Sequence, residues 1–314
     1  MQAAASGKNA LAGTMARYRT RRIGERVIGS LLFAAAASSI IISLGIISIL
    51  VVESAAFFKH VPLGDFLTGK VWSPTFDPPS YGILPLLAGT LLTTGVAVSV
   101  ALPLGTIIAI YLSEFAPFKV REIVKPMLEL LSAVPTVIYG YFALIFVAPL
   151  LQKLLAQFGY DLPLFNTLSA GLVMGVMIIP YISSLSEDAM RAVPMILREG
   201  SYALGASKFL TAIRVVLPAA LSGIGAAYIL GISRAIGETM IVAIAAGMQP
   251  NFTMNPLEPA ATITAFIVQV SLGDLPHGSV GYQSIFAAGM TLFLMTFCFN
   301  IVGHFLRTRY REAY

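Results

Sequence analysis

Five long uncharged runs organise this chain, at Val27–Val52, Pro78–Ser113, Leu130–Gln152, Leu162–Ser186 and Leu275–Leu306. Each exceeds the roughly 20 residues that an α-helix needs to cross a bilayer. A sixth run, from about Pro218 to Gln249, is apolar except for Arg234 and Glu238. The pattern predicts an all-α polytopic membrane protein with six transmembrane helices. One polar stretch, Arg198–Pro218, stands apart between the fourth and fifth spans. There Glu199–Leu204 suits a short helix, and Gly205 supplies a left-handed turn without steric penalty. Beyond it Phe209, Leu210, Ile213, Val216 and Leu217 recur at helical spacing, with Lys208, Thr211 and Arg214 off that face, which predicts an amphipathic second arm. Pro218 fits the first turn of the helix that follows. Such a segment can lie along the membrane surface and offer one face to a soluble partner, or be an ordinary cytoplasmic loop.

Two other connections carry local signals. Between Glu53 and Tyr81, the prolines at 74, 78 and 79 oppose regular helix and leave Trp72 either an interfacial anchor or part of a docking face. The loop from Pro250 to Gly281 predicts a short re-entrant or surface helix around Pro259–Leu272.

Composition sharpens the class. Charged residues are 11% and hydrophobic residues 57% of 314 positions, which excludes an ordinary soluble domain. Lys and Arg set the orientation: sixteen lie on one side of the predicted spans and three, Lys59, Lys70 and Lys153, on the other. By the positive-inside rule both termini and the Arg198–Pro218 loop face the cytoplasm. The net charge of +5 is therefore topology and not nucleic-acid binding. Residues 1–26 read as a mobile, basic cytoplasmic tail, 27–306 as the transmembrane domain with a coupling segment at 187–217, and 307–314, which holds Arg307, Arg309 and Arg311, as a second cytoplasmic tail. The first apolar run is too long for a signal-peptide core and reads as a retained anchor. Cys298 has no second cysteine for an internal disulfide.

Candidate chemistry lies within the spans. In span three Glu129, Ser132, Thr136 and Tyr139 fall at i, i+3, i+7 and i+10, a polar stripe down one helical face that either lines a solute path or satisfies hydrogen bonds between helices. In span four Gly171 and Gly175 form a GxxxG pair, a mark of close helix packing. In span five Gly223, Ala227, Gly231, Arg234 and Glu238 share one face. An arginine at mid-span costs about 2.5 to 3.5 kcal/mol on insertion scales and needs compensation. Glu238, one turn on, is an available partner. The pair is either structural or functional, with the Arg234 fork meeting an anion and Glu238 holding it when the path is empty. An intramembrane ionisable pair is read as functional first.

Enzymatic readings fare worse. His60, His277 and His304 are far apart, and no His-Glu-x-x-His or cysteine-containing metal cluster occurs. Gly200-x-x-x-x-Gly205-Ala206-Ser207 is superficially like a phosphate loop, but Ala206 stands where the lysine is required and no strand precedes it. No cofactor is expected, and any ATP must be bound by another subunit. A self-sufficient secondary transporter would explain the charges but leave the polar segment unexplained.

The residues of that segment resemble a known signature. Glu199, Gly205, Val215, Leu217 and Pro218 are similar to the EAA motif of ABC importer permeases, with Gly200 and Ser201 in place of the two alanines and Val215 in place of isoleucine. Three further stretches resemble the PstC-type permeases of phosphate ABC importers: FLTGKVWSPTF with the following Tyr81–Thr94, the run through Lys125, Pro126, Glu129, Pro135, Tyr139 and Gly140, and above all Ser233-Arg234-Ala235-Ile236-Gly237-Glu238-Thr239-Met240. The resemblance, over most of residues 60–306, implies the type I (MetI-like) importer permease fold and phosphate transport across a bacterial inner membrane. It implies a path near Arg234 and Glu238, with Ser132, Thr136 and Tyr139 as further candidates. ATPase contact falls on Glu199, Gly200, Ser201, Gly205, Ala206, Ser207, Leu217 and Pro218. The implied partners are a second permease of PstA type, an ATPase dimer of PstB type and an extracytoplasmic phosphate-binding protein of PstS type, besides membrane lipid. The PstA-type half, or a permease for another oxyanion, is the alternative.

Overall fold

The computed structural model describes residues 2–276 and 278–309; His277 and Arg311 lie outside the described residues. The chain divides into two units, residues 1–53 and residues 54–314. The first is a single stretch of helix α1 (Gln2–Phe57), whose apolar part from Glu25 is long enough to cross a membrane. The tail expected to be mobile thus belongs to the same helix, in keeping with its alanine-rich sequence.

In the second unit α2 (Leu63–Thr68) leads to a two-stranded hairpin, β1 (Trp72–Ser73) antiparallel to β2 (Ser80–Tyr81), with Trp72 opposite Tyr81. Trp72 is no interfacial anchor: it is buried and packs edge-on against Phe66, Tyr81 and Phe266, the last at 4.9 Å between ring centroids. Helix α3 (Leu84–Ile110) continues into a π-helical turn, Tyr111–Phe115, and gives one uninterrupted apolar span.

The expected third span does not begin at Leu130. Instead α4 (Phe118–Ala133) takes up the basic loop and the start of that run, and the chain breaks at Val134 and Pro135, both extended. The residue before a proline is pushed out of the helical region, so the break falls where Pro135 puts it. The span proper is α5 (Thr136–Phe142), a π turn at Ala143–Val147 and α6 (Ala148–Ala156).

Helix α7 (Thr167–Arg191) is the buried axis of the unit. Asn166 caps it, accepting a hydrogen bond from Ser169 N at 2.7 Å. Small residues let α3 lie close against it: a Cβ on Gly171 would stand 2.7 Å from Val96 Cβ, and one on Gly175 2.8 Å from the Ala97 carbonyl. The GxxxG pair is therefore a packing seam, the expected means of helix association where lipid offers no hydrophobic driving force. Ala97, Ala101, Met174, Met177, Ile178 and Ile182 form the core of this contact.

After α7 come α8 (Met195–Ala203), α9 (Lys208–Thr211), a π turn at Ala212–Val216 and α10 (Leu217–Ala219). The chain then bends by 71° into α11 (Leu221–Ile236). The predicted fifth span is not continuous to Gln249. Gly237 ends α11, α12 (Met240–Ala245) restarts after Thr239, and Gly247 and Met248 turn the chain with positive φ. The helix expected around Pro259–Leu272 is α13 (Ile263–Gln269), extended by a π turn to Asp274. Ile263, Ala265 and Phe266 are buried, so it does not lie on the surface. Helix α14 (Val280–Arg309) follows; among the described residues five helices are long and apolar enough to cross a membrane, and six if the bent pair is taken as one span.

The approach of α13 to α3 gives a sharp stability test. A Cβ on Gly89 would lie 2.2 Å from the Ala261 carbonyl oxygen, backbone that cannot swing aside. Gly89→Ala is expected to destabilise the detergent-solubilised protein by about 1 to 3 kcal/mol, the range for overpacking. Gly95→Ala, whose Cβ meets nothing within 4 Å, serves as control. Equal melting temperatures for the two variants would refute this packing.

Candidate functional site

Two groups of predicted residues are brought together, one at mid-span and one in the polar segment. In the first, Gly223, Ala227 and Gly231 do line the α11 face that meets α7: a Cβ on Gly231 would stand 2.9 Å from Ile182 Cγ1, and one on Gly223 2.5 Å from Ala189 Cβ. Helix α11 therefore runs antiparallel to α7, and Arg234 reaches the level of Tyr181, its guanidinium 6.0 Å from the ring centroid. A cation over an aromatic face is stabilised by about 0.5–1 kcal/mol when exposed. Arg234 is exposed.

Glu238 is not its partner. Because α11 ends at Ile236, the i+4 relation is broken, and among the described residues the two form no ion pair. The Glu238 carboxylate, 8% exposed, instead accepts the backbone N–H groups of Met240 at 3.0 Å and Ile241 at 3.3 Å. It caps α12, where a negative charge also meets the positive end of the helix dipole. Its carbonyl accepts from Thr264 Oγ1 at 2.7 Å, which ties the break to the start of α13. Thr90 Oγ1 receives Ile263 N at 3.1 Å and joins α3 to the same place. Among the described residues no carboxylate satisfies the guanidinium fork, and its donors can meet an anion.

The expected polar stripe of span three is divided by the break at Pro135. Glu129 and Ser132 lie exposed on α4, where Ser132 Oγ donates to the Glu129 carbonyl at 2.7 Å. Thr136 and Tyr139 lie on α5, and Tyr139 Oη reaches back across the break to the Leu131 carbonyl at 2.8 Å. Only these two share a helix with Gly140, which packs against Ile244 and Met240 of α12. The structure brings Thr136 and Tyr139 to the helix that Glu238 starts, and leaves Ser132 on the far side of the break.

The polar segment is built largely as its sequence predicts. Gly205 has φ +83° and its N–H donates to Tyr202 O at 2.9 Å, closing α8; Ser207 caps α9 by accepting from Leu210 N. Ser201 and Thr211 join the two arms through their hydroxyls at 2.9 Å. The second arm follows expectation at Ile213, Val216 and Leu217, which are half-buried or buried, and at the exposed Lys208 and Arg214, but departs from it at the start. Thr211 is fully buried, whereas Phe209 is 65% exposed, because the hydroxyl finds Ser201 and the apolar ring is left outward. Ile196, Leu204 and Phe209 are large apolar side chains left exposed in this segment, as are Glu199 and Gly200. Pro218 stands in the first turn of α10, and Leu217 before it is half-buried.

Sequence reasoning missed the charges that fasten this region. Arg198, on α8, forms a buried two-pronged pair with Glu114 of the π turn after α3, with Nη2 at 2.8 Å from Oε1 and Nε at 3.3 Å from Oε2. Glu187 of α7 is fully buried among Lys125 at 3.0 Å, Arg191 at 3.6 Å and Arg121 at 3.7 Å. Its oxygens lack an aligned hydrogen bond, so these are charge contacts. Burial would lower the Lys125 pKa, but the hydrogen bond to Asp188 and the neighbouring carboxylates outweigh it and hold the ammonium above the usual 10.5. That contribution is fully present below pH 10.5 and is lost only as the pH rises through the higher folded value. The fastening of α4 to α7 through Lys125 therefore keeps its cation at physiological pH.

Comparison with known proteins bears on both groups. Residues 101–312 match the family model described as binding-protein-dependent transport system inner membrane component. The chain is 36% identical over 245 residues to the probable ABC transporter permease protein YqgH of Bacillus subtilis, with 78% of each chain covered. It is 32% identical over 262 residues to the phosphate transport system permease protein PstC of Mesorhizobium japonicum, again with 78% of each covered. Among solved structures, a bacterial ABC transporter involved in the import of the acidic polysaccharide alginate superposes with a TM-score of 0.63 at 16% identity, covering 90% of this chain and 96% of that one. An inward-facing MetNI methionine ABC transporter gives 0.53 at 17%, covering 74% and 95%. These structures share the fold of this chain, that of type I ABC importer permeases.

Proposed function

The chain belongs to the family of binding-protein-dependent transport system inner membrane components, and on that premise we propose that it is the PstC-type permease subunit of an ATP-driven phosphate importer. The observation that carries the substrate is the likeness to phosphate permeases over 78% of the chain. The geometry supports it through Arg234, an exposed guanidinium on the apolar helix α11 that has no carboxylate partner among the described residues and whose planar fork matches phosphate oxygens.

In this reading the path opens where the exposed Arg234 face meets a second permease of PstA type. Thr136 and Tyr139 stand on the helix that packs against α12, and Glu238 serves the path by holding the α11–α12 break in shape. ATP is bound and hydrolysed by a PstB-type dimer. That dimer receives the exposed Ile196, Leu204 and Phe209, together with Glu199, Gly200, Ser201, Gly205, Ala206 and Ser207. Both termini and the polar segment face the cytoplasm, and a PstS-type binding protein delivers phosphate from the other side. The permease itself needs no cofactor.

The test is labelled phosphate uptake into proteoliposomes that hold this chain with its partner permease, ATPase and binding protein. Uptake that requires both ATP and binding protein is expected. Assembly and ATP hydrolysis without phosphate movement would overturn the substrate, and uptake driven by an ion gradient without ATP would overturn the importer.

A further inference from the structure

The Arg198 fork ties α8 to the end of α3, to which the chain does not join it here, and braces the short turn at residues 192–194 by which α7 leads into α8. Its Nε and Nη2 engage Glu114, 84 residues earlier, at the end of α3. Nη1 donates to the Val193 carbonyl at 2.6 Å and Nη2 to the Met190 carbonyl at 2.9 Å, at the C-terminal end of α7 and the turn after it. Ser113 Oγ, beside Glu114, donates to the same carboxylate at 2.9 Å. Arg198 and Glu114 are only 8% and 9% exposed, although Met195, Ile196 and Glu199 around Arg198 face outward. Helix α8 therefore presents one face to solvent, and on the other Arg198 ties it to α3 while Ser201 ties it to α9.

We infer that the Arg198–Glu114 pair is the positioning link through which displacement of α8 reaches the end of α3, deepening the importer reading on which it rests. The covalent routes from α8 lead back into α7 through residues 192–194 and forward into α11 across a 71° bend at Ala220, and neither reaches the end of α3. A bend absorbs rotation. A buried, two-pronged arginine–carboxylate pair resists it, because both N–H···O vectors are fixed by the planar groups. Through Glu114 a shift of α8 is delivered to the end of α3, whose other end meets the Glu238 break through Thr90 and Ile263. Both charges act through other groups and touch no substrate, so they are positioning residues.

The experiment is a double-mutant cycle on the complete importer, with Glu114→Gln, Arg198→Lys and the double variant. Arg198→Lys keeps the charge and loses the fork; Glu114→Gln leaves the two carbonyl contacts of Arg198 in place. The readout is phosphate moved per ATP hydrolysed. Each single variant is expected to lower that ratio at least about tenfold while the ATPase still copurifies and hydrolyses ATP, and the double variant to fall no further than the worse single. An unchanged ratio in an assembled Glu114→Gln complex, or losses that multiply in the double variant, overturns the link. If Glu114→Gln does not accumulate, Glu114→Asp, which shortens the same arm, is judged by the same criterion. A wild-type complex that hydrolyses ATP without moving phosphate would count against the substrate instead, and the link is then judged from stimulation of hydrolysis by the binding protein.

Discussion

Arg234→Gln is expected to abolish phosphate uptake while membrane insertion and copurification of the ATPase stay at wild-type levels. Glutamine retains a polar end but loses the charge and the fork, so it cannot offer an anion two parallel charge-assisted hydrogen bonds. The folding cost is small, since Arg234 is exposed and its described contact is the face of Tyr181, an interaction of about 0.5–1 kcal/mol at such a site. Labelled uptake in proteoliposomes reads the result, and normal uptake would remove Arg234 from the path. Glu238→Gln separates this role from that of an ion pair. The amide oxygen can still accept from Met240 N and Ile241 N, so uptake should survive in part. A loss as complete as that of Arg234→Gln would restore the carboxylate as a partner of the guanidinium.

Glu238 also marks how far the sequence is legible. Its spacing from Arg234 is right for a helical pair, but the spacing carries meaning only if the helix continues. Gly237 ends it, but Gly223, Gly225 and Gly231 lie within the same helix, so a glycine in this run does not by itself show the ending. Pro135 did carry a usable signal, since a residue before proline avoids the helical region. Once α4 stops at Ala133, the stripe from Glu129 to Tyr139 falls into two parts. The GxxxG seam and the Gly205 turn were legible because each depends on residues within a few positions of one another. The pairing of Arg198 with Glu114 was not, because neither residue has a neighbour in sequence that points to the other across 84 positions. Nor was the outward turn of Phe209, which follows from the hydroxyl bond between Ser201 and Thr211 rather than from periodicity.

Gly205→Pro is expected to uncouple ATP hydrolysis from transport. At φ +83° Gly205 occupies the left-handed region, whereas a proline ring holds φ near −65°, so the substitution cannot preserve the turn. It also removes the N–H that closes α8 on the Tyr202 carbonyl at 2.9 Å. The two arms must then take a new angle. Ser201 and Thr211 cannot keep their 2.9 Å contact through that change unless α8 or α9 unwinds. The exposed Ile196, Leu204 and Phe209 would still be present, so a complex can form and hydrolyse ATP, but its movement would no longer be delivered in register to the spans. Gly205→Ala isolates the backbone contribution: an added Cβ meets nothing within 4 Å, so its cost is that of a left-handed residue alone, about 1–2 kcal/mol. Phosphate moved per ATP should therefore fall partly in Gly205→Ala and almost wholly in Gly205→Pro. If the proline variant transports with full coupling, the turn does not transmit force, and the segment would act as a fixed dock instead of a lever.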